Sequence, residues 1–150
     1  MMKRSRGSSL VDLMSTMTIL GVMVTTVTPA YVDLRGFARS RVIGDLLGKA
    51  SYEAEASRLY FIAKGGDATS SSASMTINGH SVNFKYGYPS DQAGGLSSLV
   101  SFGGVLSFPG VGGPYTLWEV ANSVTNCYVR YYAPTAVGSA ATILTDQSGC

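Results

Sequence analysis

The sequence is poor in the side chains that most enzymes work with: 150 residues hold one histidine, two cysteines and one tryptophan, and only 13% of the chain is charged. The histidine, His80, directly follows Asn78-Gly79, a strong turn signal, and reads as a solvated loop residue rather than a base. No Ser-His-Asp arrangement suggests itself. Glu53 and Glu55 lie two apart on a helical stretch and point away from each other, which makes a poor acid–base pair and a reasonable solvated face. Gly110, Gly112 and Gly113 lack the GxGxxG spacing, because position 115 is tyrosine, and open no evident helix, so no phosphate cradle is expected. Neither a metal site nor a cofactor is indicated. The expectation is a protein that is not an enzyme.

Charge excludes further partners. Lys3, Arg4 and Arg6 precede the first apolar run, and the eight basic residues that remain face nine acidic ones. A nearly neutral body has no general electrostatic reason to seek nucleic acid or an anionic surface. Cys127 and Cys150 have no second pair and no nearby histidine, so a metal site is disfavoured and a disulfide favoured. Closing a loop of that size would stabilise the fold by roughly 3 kcal/mol and would imply an oxidising compartment. Two free buried thiols are the alternative.

What is present begins with Leu10 to Ala30, apolar or weakly polar throughout except for Asp12. A basic cluster followed by such a run reads as membrane targeting, with the cations kept in the cytoplasm and the body sent across. A removable signal peptide with Thr28-Pro29-Ala30 at its cleavage site, and an ordinary signal anchor, are the simpler readings. Both leave Asp12 unexplained, since an ionised carboxylate near a membrane centre costs about 2.5–3.5 kcal/mol. Thr16, Thr18, Thr25, Thr26 and Thr28 dilute the run, which suits a segment that must later leave the bilayer.

Beyond Pro29 a helical period places Ile43, Leu46, Leu47, Ala50, Ala54 and Phe61 on one face, and the helix is expected to reach about Lys64. Unbroken from Ser8, it would be on the order of 85 Å long. Gly21 and Pro29 are its weak points, where it can bend or unwind. The serine-rich loop that follows leads into a hairpin, Met75 to Ile77 and Ser81 to Tyr86 around Asn78-Gly79. Asp91 to Phe102 is expected to hold a short helix, and Gly103 to Pro114 is too rich in glycine and proline for regular structure. Tyr115 to Val120, Cys127 to Tyr132 and Thr142 to Leu144 read as three further strands, with Val129 and Tyr131 on the face of Cys127. Tyr86, Tyr88 and Trp118 read first as core or interface aromatics and secondly as sugar-stacking surfaces.

Gly7-Ser8-Ser9-Leu10-Val11-Asp12-Leu13-Met14, then Ile19-Leu20-Gly21-Val22 and Thr28-Pro29-Ala30-Tyr31, resembles the N-terminal signature of type IV pilins. The family usually has Phe at the position of Ser8 and Glu at that of Asp12. Tyr86-Gly87-Tyr88-Pro89, Asn126-Cys127-Tyr128-Val129 and the final Gly149-Cys150 are similar to mannose-sensitive haemagglutinin pilins.

The resemblance implies a leader at residues 1–7, a membrane and filament-core half-helix at 8–31, and a globular part at 32–150. The fold implied is α+β, a long N-terminal helix packed on a four- to five-stranded antiparallel sheet. A prepilin peptidase would cut between Gly7 and Ser8 and methylate Ser8. The new amine of Ser8 would pair with Asp12 of a neighbouring subunit, with Gly21 and Pro29 allowing the helix to adapt. Cys127 and Cys150 would bound a terminal disulfide loop. The implied partners are further copies in a helical filament, inner-membrane assembly machinery, the membrane before assembly and a surface glycan. The implied location is the bacterial inner membrane and then the extracellular pilus. A type II secretion pseudopilin and a low-copy tip pilin are alternatives on the same architecture.

Overall fold

One face of a single helix contributes to both clusters of the hydrophobic core. A computed structural model describes residues 10–101, 103, 105–109, 113–120 and 125–150, the side chains of 24–33, Leu106, Ser107 and Pro109 excepted. Its contacts divide the chain into two units, residues 1–37 and 38–150. The helix α1 (Leu10–Ala63) runs through both sequence ranges.

Within the second unit, Ile43, Leu46, Ala50, Ala54 and Phe61 of α1 are buried, and they recur at the three- and four-residue spacing that makes one helical stripe. The stripe ends at a glycine cap. Gly65 has φ +79°, its N–H reaches the Ile62 carbonyl at 2.9 Å and that of Gly66 reaches Phe61 at 2.9 Å, which satisfies two of the carbonyls in the last turn of the helix. A Cβ at Gly66 would lie 2.6 Å from the Phe61 ring, so glycine also lets the chain turn over that ring.

Among the described residues seven strands follow in two antiparallel sheets. The first sheet holds β1 (Ala73–Ile77), β2 (His80–Lys85) and β3 (Tyr88–Pro89) in sequence order. The second holds β4 (Val105–Pro109), β5 (Thr116–Val120), β6 (Tyr128–Tyr132) and β7 (Thr142–Asp146), also in sequence order. The expected single sheet of four to five strands is therefore corrected to sheets of three and four.

Asn78-Gly79 closes β1 onto β2 as expected, with Ile77 opposite His80 and both turn residues at positive φ. Tyr86-Gly87 does the same between β2 and β3, with Lys85 opposite Tyr88 and φ values of 50° and 83°. The segment read as the end of a strand is thus a second tight hairpin.

Two expectations along the middle of the chain fail for local reasons. The helix expected at Asp91 to Phe102 shrinks to one 3-10 turn, Leu96–Ser98. Gly94 sits at φ +77°, and a Cβ at Gly95 would stand 1.8 Å from the Ser90 carbonyl oxygen, so the chain here is shaped by close backbone approach rather than by helical packing. The Gly103 to Pro114 region, expected to be irregular, contains β4. Its glycines flank a short apolar run instead of interrupting it, and proline is tolerated at the end of an edge strand.

The core has two clusters. Ile43, Leu46, Ala50 and Ala54 of α1 meet Leu96, Val100, Trp118, Cys127, Val129 and Tyr131 in the larger one. Phe61 meets Ile77, Val82 and Phe84 in the smaller, where the Phe61 and Phe84 rings stack at 4.3 Å. The expected alternation in β6 holds, with Val129 and Tyr131 buried and Tyr128, Arg130 and Tyr132 facing the other way.

Candidate functional site

Apolar side chains crowd the described part of the first unit and stand exposed there. Leu10, Val11, Leu13, Met14, Met17, Ile19, Leu20, Val22 and Met23 are each more than half exposed. They are spread around the helix rather than along one stripe, and a helix that is hydrophobic all round is one that is buried in its working state. The three hydroxyls between Leu10 and Met23 are already satisfied. Ser15 donates to the Asp12 carbonyl at 3.0 Å, Thr16 to Leu13 at 2.9 Å and Thr18 to Ser15 at 2.9 Å. Covering this surface would therefore strand none of these three hydroxyls.

Asp12 is the only acidic residue in the first turn of α1, where the partial positive charge of the helix end favours a carboxylate. Gly21 lies inside the helix with open space around it. Gly7 and Ser8 lie outside the described residues, as does the side chain of Pro29, though its backbone is helical. Among the described residues no helix is long and apolar enough to cross a membrane, so the expected span at 8–31 does not stand on them. Ser8, Ser9 and the side chains of 24–33, which belong to that span, are outside the description.

Cys127 and Cys150 are joined by a disulfide, with Cα atoms 4.9 Å apart. The bond encloses β6 and β7, so its loop is a piece of the four-stranded sheet. Gly149 donates to the Asn126 carbonyl at 3.0 Å, and a Cβ there would lie 1.8 Å from the Thr125 oxygen, so the residue before Cys150 must be glycine for the two ends to close. Two further contacts fix the segment. Gln147 Oε1 accepts from Ser40 Oγ of α1 at 2.7 Å, and Asp146 Oδ1 accepts from the Ser148 N–H and hydroxyl at 2.9 and 2.7 Å. These last two bonds hold the Asp146 carboxyl below its ordinary range.

The other sequence candidates scatter. His80 is exposed at the start of β2. Glu53 is half-buried, whereas Glu55 is exposed and accepts a hydrogen bond from Tyr88 Oη at 3.1 Å beside Arg58 at 3.5 Å. Burial first, and then that bond to Glu55, push the Tyr88 phenol up. The Arg58 guanidinium lies 4.6 Å over the Tyr88 ring, and Trp118 is 1% exposed, so neither offers the free aromatic face a sugar would need. Gly110 and Gly112 are outside the described residues, and Gly113 sits under the Tyr115 ring. Among the described residues no cluster of three or more metal-ligating side chains occurs.

Sequence reasoning did not find the interior polar ties. Tyr131 Oη donates to the Pro89 carbonyl at 2.7 Å and Thr116 Oγ1 to that of Asp91 at 2.9 Å, joining the second sheet to the segment that leaves the first. Both join residues far apart in sequence, and only the inward alternation of β5 and β6 hinted at them. No protein-family model, curated protein or solved structure matches the chain.

Proposed function

We propose that this chain is a structural subunit of a surface filament of the type IV pilin kind, assembled by bundling of the apolar first part of α1. The observation that carries the reading is the Leu10–Met23 surface, apolar all round, with its three hydroxyls satisfied and one acidic group, Asp12. Removing that much apolar surface from water is favourable by about 25 cal/mol per Å² and supplies the drive for association. The N-terminal pattern from Gly7 to Tyr31 supports the same reading, with a leader removed behind Gly7 and the segment held in the inner membrane before assembly. The disulfide suits export into an oxidising compartment. On this account the role is adhesion through an extracellular fibre, and the chain carries out no catalysis.

Asp12 gives the test. A carboxylate inside an apolar bundle needs a cation, supplied here by the Ser8 amine of a neighbour, and removing one partner of such a pair leaves the other buried without compensation. Asp12→Ala should lower the fibre recovered by shearing cells by about tenfold or more at an unchanged cellular level of the chain, while Asp12→Glu retains it. Equal yields of wild type and Asp12→Ala would overturn the proposal.

A further inference from the structure

A cavity of about 300 Å³ opens in the second unit beside the first hairpin, with α1 on one side and the β1–β2 turn and Leu99 on the other. Tyr52, Ala56 and Tyr60 share its helical wall at four-residue spacing, which puts a tyrosine about 6 Å along the helix axis on either side of a small alanine. Ile77 and Leu99 complete the apolar part of the lining. The two tyrosines are not needed by the core. Tyr52 is 70% exposed and Tyr60 41%, and among the described residues the Tyr52 ring meets no other ring and no cation.

Two polar side chains line the same space. Glu53 is half-buried, and neither its carboxylate nor the Asn78 amide makes a hydrogen bond or ion pair among the described residues. Glu53 is also the only charged residue of the lining. One turn before it, Lys49 Nζ donates to the Ser101 carbonyl at 2.8 Å, and one turn beyond Tyr60, Lys64 Nζ lies 5.7 Å from the centre of the Tyr60 ring.

These charges select the ligand. An anion would be repelled by Glu53, and a cation by the two lysines. A wholly apolar ligand would take the carboxylate and the amide out of water with no partner for either. What fits is a neutral molecule with an apolar face and several hydroxyls. We propose that the cavity binds a neutral sugar ring, its C–H face laid on Tyr52 and its hydroxyls held by Glu53 and Asn78.

An ionised carboxylate offers about four acceptor positions to hydroxyl donors, and hydrogen bonds to a charged acceptor are the stronger kind. The Asn78 amide can both donate and accept, as a hydroxyl does. Its place is set by the hairpin, where Asn78 has φ 49° and Ile77 pairs with His80. The volume lies at the small end of the range for ligand sites, which suits a single ring rather than a long chain. All of the lining belongs to residues 38–150, so the site needs no second copy and does not rest on the filament reading.

The test uses the full chain in a detergent without a sugar headgroup, with the methyl glycosides of glucose, galactose and mannose as probes and choline as a cationic control. Saturation transfer from the aromatic protons of the protein to at least one glycoside is expected, at an affinity that does not change with ionic strength. Tyr52→Ala and Glu53→Gln should each weaken that binding about tenfold or more. Asn78→Gly should weaken it while preserving the hairpin, because glycine accepts the positive φ of the turn. Leu144→Ala, at an exposed position of β7, should leave it unchanged. No transfer to any of the glycosides, binding that Tyr52→Ala and Glu53→Gln leave unaltered, or a preference for choline would overturn the proposal. None of these results bears on fibre yield from Asp12→Ala, so the two readings fail separately.

Discussion

The two units differ in whether they bury large apolar residues in a core of their own. In the second, large apolar side chains such as Ile43, Leu46, Trp118 and Val129 are at most 1% exposed, and in the first, residues of the same chemistry stand more than half exposed on one helix. The second region therefore has its own reason to fold. The first leaves its apolar surface open. On the proposed reading hydrophobic burial drives both folding and association, and the difference is whether the partner surface belongs to the same chain.

Substitutions should divide along the same line. The largest loss is expected for Trp118→Ala, which opens a cavity in the larger core cluster and should cost about 3–5 kcal/mol in denaturant unfolding followed by circular dichroism. Replacing Cys127 and Cys150 together by serine should cost about 3 kcal/mol in the same measurement, through the freedom regained by the unfolded chain. Tyr131→Phe removes the bond to the buried Pro89 carbonyl and should cost about 1–3 kcal/mol.

Acid should act more weakly. Asp67 and Asp146 both have folded-state values held below the ordinary 3.8, Asp67 by the hydroxyl and then the N–H of Thr69, Asp146 by the N–H and then the hydroxyl of Ser148. The unfolded chain binds their protons first, so their stabilisation is complete above that ordinary value and is lost as pH falls through the folded values. Asp146→Asn should therefore flatten the acid limb of the stability profile. Met17→Ala should leave the unfolding of the second unit unchanged while reducing fibre recovery. A stability loss there comparable to that of Trp118→Ala would erase the contrast between the units.

The same division governs how far the sequence could be read. Local signals carried the helix face from Ile43 to Phe61, the Asn78-Gly79 turn and the alternation in β6, because each depends on residues close together in the chain. β3 was missed because its turn places Tyr86, a non-glycine residue, at positive φ. β4 was missed because the flanking glycines and Pro109 outweighed four strand-compatible residues. The contacts of Tyr88 with Glu55 and of Tyr131 with Pro89 join positions 33 and 42 residues apart, and no local pattern encodes them. The exposed apolar helix was legible in advance because it needs no tertiary partner: an apolar run interrupted by one acidic group says most of what that helix displays.

The most direct measurement is the intact mass and N-terminal sequence of the protein sheared from cell surfaces. A chain beginning at Ser8, carrying one added methyl group and lacking two hydrogens for the Cys127–Cys150 bond, is the result this account predicts. A chain beginning at Tyr31, or one retaining Met1 and found only in membranes, would contradict it.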